Sequence, residues 1–196
     1  MPFTLSASAR SQAAPPADKP TLMLYPSKIE SGEAVRFHIV SESPVEYWKV
    51  FGESPEGGLK CFQFLEQPTP DDIASELGDY KQSLNYEKTG PAPAKFCVSF
   101  AIYEWATKSI RVCELSQKSL IRELDQISQE KDYANFSKWD FKLGRQGMGK
   151  DTEYSLRPVP CVDDKPACKA LAEEVNKGFD MGLMATTGWP FPAKED

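Results

Sequence analysis

Three glycines and several cations crowd between Phe141 and Pro158, where Gly144-x-x-x-x-Gly149-Lys150 has the spacing of a phosphate-binding loop. Such a loop needs a Ser or Thr after its lysine to hold magnesium, and a helix whose N-terminus faces the phosphates. Asp151 stands there instead, and Thr152-Glu-Tyr-Ser-Leu156 alternates like a strand. A nucleotide hydrolase is therefore not expected. The glycines suit a hairpin tip that needs positive φ, and the surrounding Lys138, Lys142, Arg145, Lys150 and Arg157 suit phosphate contacts.

Aromatic side chains are interleaved with these cations. Along the hairpin, Trp139, Phe141 and Leu143 alternate with Asp140 and Lys142, which turns the apolar set toward a core and leaves Tyr154 on the returning strand. Rings for base stacking must then come from elsewhere: Tyr47, Trp48, Phe62, Tyr103 and Trp105, near Lys49, Lys60, Lys95 and Arg111. Rings and cations in one groove suit a single nucleic-acid strand, since each stacked base contributes about 1–3 kcal/mol and each cation neutralises a phosphate.

Other chemistries find less support. The chain has one histidine, His38, which reads as an ordinary strand residue, and no nucleophile–base pair or carboxylate cluster with metal-site spacing; an enzyme is not expected. The five cysteines show no CxxC pattern, and an odd number cannot complete a disulfide framework. Reduced thiols and a cytoplasmic setting follow as expectations, because no signal peptide or membrane span is evident. The net charge of −6 excludes a surface that coats nucleic acid everywhere, and charge is instead regional. Acid collects over residues 66–90 and again after Pro160.

The elements that must carry these residues are short strands in hairpins with a few helices. Residues 1–20 read as a flexible tail rich in Ala, Ser and Pro. Val35–Val40 alternates, and Val45–Phe51 with Leu59–Phe64 makes a hairpin across a Pro/Gly turn. Thr69-Pro-Asp-Asp72 starts a helix expected to reach Tyr86 and to align Ile73, Leu77, Tyr80 and Leu84. Lys95–Trp105 and Ser109–Leu115 form a second hairpin, and Ser116 caps a helix to about Gln129. The third hairpin carries the glycine tip. Beyond residue 160 a helix behind Asp163 or Asp164 leads into an acidic, proline-rich end. The fold class is mainly β with short helices (α+β), in the form of a five-stranded OB-fold-like barrel spanning residues 21–160, with a helical insertion at 66–90 and a separate C-terminal segment at 161–196.

The order of these residues resembles the phage single-stranded DNA-binding proteins of the helix-destabilising type. The resemblance runs through Glu46-Tyr-Trp48, Leu59-Lys-Cys61, Ser116-Gln-Lys-Ser-Leu120, and a last block of Asp140, Arg145, Gly147, Gly149, Asp151, Thr152, Tyr154 and Pro158. It implies an OB-fold that binds single-stranded DNA without strong sequence preference in replication, recombination or repair in the host cytoplasm. It also implies an acidic C-terminal segment that meets replication or recombination proteins, with Trp189 and Phe191 as docking rings; self-association stays open. Members often set a zinc cysteine cluster after the Lys-Cys strand, but here Phe-Gln-Phe follows Cys61 and Cys161-x₆-Cys168 lacks the spacing, so no metal or cofactor is expected. The competing expectation is a protein-interaction adaptor that does not bind DNA.

Overall fold

A computed structural model describes residues 21–133 and 135–193. The expected N-terminal tail, and the last three residues with it, lie outside the described residues. Strands β1 (Met23–Leu24), β2 (Ala34–Ile39), β3 (Val45–Glu53), β4 (Leu59–Phe64), β5 (Lys81–Gln82), β6 (Lys95–Glu104), β7 (Ser109–Leu115), β8 (Trp139–Gln146) and β9 (Glu153–Pro160) form one sheet. Helices α1 (Pro70–Leu77), α2 (Lys118–Gln129) and α3 (Lys165–Val175) complete a mixed α+β fold that is mostly sheet.

The sheet path runs β1-β7-β6-β2-β8-β9, with β3 on β6 and with β4 and β5 on β3. All these pairings are antiparallel except β1 with β7. Among the described residues no ladder joins β9 to β7, so the sheet is not a closed barrel. One edge of the long β6 serves two strands in turn: β2 pairs with its C-terminal half and β3 with its N-terminal half.

Alternation along β6 decides the two main cores. Val98, Phe100 and Ile102 point to one face and pack with Phe37, Phe141, Leu143, Leu156 and Leu120 of α2. Cys97, Ala101 and Tyr103 point to the other, where they meet Tyr47, Val112, Ala167 of α3, Phe179 and Met184. A strand buried on both faces needs a second cover. The C-terminal segment supplies it: the expected helix and the stretch after it bury Ala167, Phe179, Met184 and Ala185 in this cluster, with Phe191 packed against it. A third cluster packs Ile73 and Leu77 of α1 on Val50 and Phe62.

Helix α1 begins as the sequence dictates, with a reciprocal cap in which Thr69 Oγ1 accepts from Asp72 N and Asp72 Oδ2 accepts from Thr69 N at 2.9 Å. It stops eight residues later, not near Tyr86, because Gly78 leaves the helix at φ 55° and Lys81–Gln82 pairs with β3. Leu84, expected on the helix face, is exposed beside Pro91. Helix α2 starts behind Gln117 without a side-chain cap, so Ser116 does not take the capping role.

Candidate nucleic-acid interface

Strands β2, β8 and β9 bring three cations into one row. Arg36 lies opposite Lys142, and Lys142 opposite Arg157. All three are exposed, on the face away from Phe37, Phe141 and Leu156. Adjacent strands are about 4.8 Å apart, so the row spans about 10 Å. Like charges directly opposite one another destabilise a sheet unless an anion compensates them. Asp140 does so for Arg36 alone: Oδ2 accepts from Nε at 2.8 Å and from Nη2 at 2.6 Å. Among the described residues neither Lys142 nor Arg157 makes an ion pair. Lys150 stands exposed on the β8–β9 tip. The tip is shaped by Gly147 at φ 79°, where a Cβ would run into the Asp151 carbonyl.

His38, two residues along from Arg36 on the same face, lines a groove of about 1480 Å³ between the β2–β3 corner, the start of β6 and the faces of α2 and α3. Trp48 and Phe96 sit opposite each other across β3 and β6, their rings 5.3 Å apart, and form an aromatic wall. Ile121, Leu124 and Phe136 line it as well. The rim is mixed, with Lys95, Lys118 and Arg122 alongside Glu42, Glu46, Asp125 and Asp164.

Several residues expected to touch a ligand are committed inside the fold. Tyr47 is fully buried; its hydroxyl donates to Glu114 Oε2 at 2.6 Å and shares a 2.9 Å hydrogen bond with Ser99 Oγ. Burial, then the Glu114 charge, pushes this phenol far above its usual range. Lys49 is only 8% exposed and donates to Glu114 Oε1 at 2.6 Å. Phe62 lies beneath α1 and Tyr80, and Tyr103 packs edge-on to Trp105 under the C-terminal cover. Trp105 and Tyr154 are half-buried against the two main cores.

Arg111 is held by Glu104, Thr21 O and Met23 O, and Arg145 by Ser27 O and Ile29 O at 2.9 and 2.8 Å. These two guanidinium groups therefore tie strands to the first loop and do not face solvent as free cations. Phe191 packs on Phe179, their rings 5.6 Å apart, whereas Trp189 remains 47% exposed. Of the expected set, Trp48, Lys95, Lys142, Lys150 and Arg157 lie on the row, the tip or the groove. Lys60 is exposed but stands apart, with its ammonium 4.7 Å from the Phe62 ring centre.

Sequence reasoning missed Arg36, Phe96, Lys118 and Arg122. Arg36 carried a usable signal, since it occupies the polar phase of Val35-Arg-Phe-His38, as Lys142 does in Trp139-Asp-Phe-Lys142. A further missed constellation is His38, Asp140 and Cys161, whose ligand atoms all lie within 4.8 Å of one another. Burial and a hydrogen bond to Asp140 push the Cys161 thiol up to about 11, so at neutral pH it lacks the charge of a thiolate nucleophile.

Among the described residues no helix is long and apolar enough to cross a membrane. No protein-family model, no curated protein and no solved structure matches the chain.

Proposed function

We propose that the protein binds single-stranded DNA without strong sequence preference, as a phage protein of replication, recombination or repair. The observation that carries this reading is the exposed row of Arg36, Lys142 and Arg157, of which only Arg36 is matched by a carboxylate, leading toward the groove walled by Trp48 and Phe96. The row neutralises consecutive phosphates, Lys150 on the glycine tip adds a contact, and bases reach the aromatic wall. The strand order supports an OB-type frame: β2 with β3 as a broken first strand, then β6, β7, α2, β8 and β9 pair in the manner of a partly open five-stranded Greek key.

Titration of tryptophan fluorescence with oligo-dT at two salt concentrations tests the proposal. Each neutralised phosphate on a single strand contributes about 0.7 to the slope of log affinity against log salt, so Lys142 and Arg157, the unpaired members of the row, alone give a slope of about −1.4. Absence of quenching, or affinity indifferent to salt, rejects it. The apolar lining and mixed rim of the groove favour one other reading, a peptide-binding adaptor. That reading expects no oligo-dT response, and partner binding that survives neutralisation of Lys142 and Arg157.

A further inference from the structure

Asp140 is completely buried, an unusual place for a carboxylate, and three groups converge on it. Arg36 occupies Oδ2, His38 Nδ1 lies 3.1 Å from Oδ1, and the Cys161 sulfur lies within 4.8 Å of both the His38 and Asp140 ligand atoms. The backbone fixes this convergence. His38 and Asp140 are direct cross-strand partners, and Cys161 is pinned just past the end of β9, where its N–H donates to Lys138 O at 3.2 Å. One nitrogen, one oxygen and one sulfur donor are thus preset by three neighbouring segments of chain.

We propose that His38, Asp140 and Cys161 form a binding site for a divalent transition metal of zinc type. Zinc accepts His, carboxylate and thiolate ligands at about 2.0–2.3 Å, and a tetrahedron of such bonds has edges of about 3.3–3.8 Å. Donor atoms within 4.8 Å of one another, two of them 3.1 Å apart, reach those edges by movements of about 1 Å or less, within the range of side-chain rotation at the half-buried Cys161. Binding exchanges the thiol proton for the metal, so the sulfur ligates as thiolate and one proton passes to solvent.

The surroundings suit an ion rather than a closed hydrogen-bond knot. Arg36 occupies one oxygen of Asp140 and leaves the other to the site, the orienting part that outer partners play around metal ligands. Asp164, three residues beyond Cys161, lines the same groove as His38. A fourth ligand, either Asp164 or water, therefore has access from the groove. With the thiolate and Asp164 the two charges of the ion are matched, while Asp140 remains balanced by Arg36. Three protein ligands plus an accessible fourth position is the pattern of zinc sites that exchange a ligand. The inference stands independently of the DNA-binding reading.

The test is titration of the metal-free, reduced full-length protein with cobalt(II), followed by displacement with zinc. One equivalent is expected to give a thiolate-to-cobalt charge-transfer band together with the visible bands of a tetrahedral ion. Cys161→Ser, at a half-buried position beyond the last strand, should abolish the charge-transfer band and keep the circular dichroism of the parent. His38→Gln should weaken binding at least tenfold, and Cys168→Ser, at an exposed position lining the same groove, should leave the spectrum unchanged. Lack of stoichiometric binding, or a cobalt spectrum that survives Cys161→Ser, overturns the proposal and leaves the three residues as a satisfied hydrogen-bond cluster.

Discussion

Two hydrogen bonds of 2.6 Å, from Tyr47 Oη and Lys49 Nζ, end on the buried carboxylate of Glu114. Glu114→Ala would strand the Lys49 ammonium, and breaking such a pair costs about 3–5 kcal/mol, measured as a lower urea midpoint. The joint change Lys49→Met with Glu114→Leu should cost far less, because no charge is then left unpaired. The same surroundings set the response to base. Burial works against the Lys49 ammonium, but Glu114 outweighs it and holds its titration above the usual lysine range; that contribution is whole below about pH 10.4 and disappears as pH rises through the folded value. Burial pushes the Cys97 thiol up to about 12, so the folded chain keeps a proton that the unfolded chain sheds from about pH 8.5. Both effects have the same sign: urea midpoints should fall progressively above pH 9, and a flat profile would contradict the buried placement of these groups. On the outer face, Lys142→Ala with Arg157→Ala should flatten the oligo-dT salt slope by about 1.4, at about 0.7 for each lost contact. Stability should hold or rise, since cross-strand repulsion is relieved.

Among the elements, α1 is fixed mainly by local chemistry and α2 mainly by packing. Thr69→Ala removes the side-chain acceptor of the reciprocal cap and leaves only the backbone N–H bond to Asp72; it should cost about 1 kcal/mol, read as a local rise in amide exchange over residues 70–77. Leu120→Ala in α2 empties a fully buried site and should cost about 2–5 kcal/mol of global stability. The contrast follows from burial, because α1 covers one edge of the sheet whereas α2 closes the main core. The three hairpins were readable beforehand: alternation at Val45–Phe51, Lys95–Trp105 and Trp139–Leu143 marks strands, and Gly or Pro between runs marks their turns. The end of α1 was not readable, because Tyr80 and Leu84 keep helical spacing past the glycine. Pairing of Lys81–Gln82 with β3, a long-range event, ended the helix there.

For the whole molecule, the decisive contact is that of the C-terminal segment with β3, β6 and β7. Phe179, Met184 and Ala185 are buried there, and Asp180 N donates to Pro190 O at 2.7 Å to close the segment on itself. Deletion of residues 165–196 would expose Tyr103, Ile110 and Val112 together. Lower thermal stability and binding of an apolar dye are expected from it, and a deletion as stable as the parent would return the segment to the status of a tail. The same cover explains why Tyr47, Lys49, Tyr103 and Arg111 are not free: their strand positions suit a groove, but the chain's own end or an internal carboxylate occupies them.

The sequence alone was enough to establish the α+β class, the hairpins, the capped start of α1 and the failure of Gly144–Lys150 as a nucleotide loop, because each depends on neighbours within a few residues. Tertiary structure decided which cations remain unpaired. Arg145 and Lys142 sit three residues apart with the same charge, yet one is bound to the carbonyls of Ser27 and Ile29 and the other stands in the exposed row. It also decided that His38, Asp140 and Cys161 meet, His38 and Asp140 lying 102 residues apart in the chain. Strand register and the folding back of the C-terminal segment make these choices. Both depend on contacts between distant parts of the chain, and local composition and spacing carry no record of them.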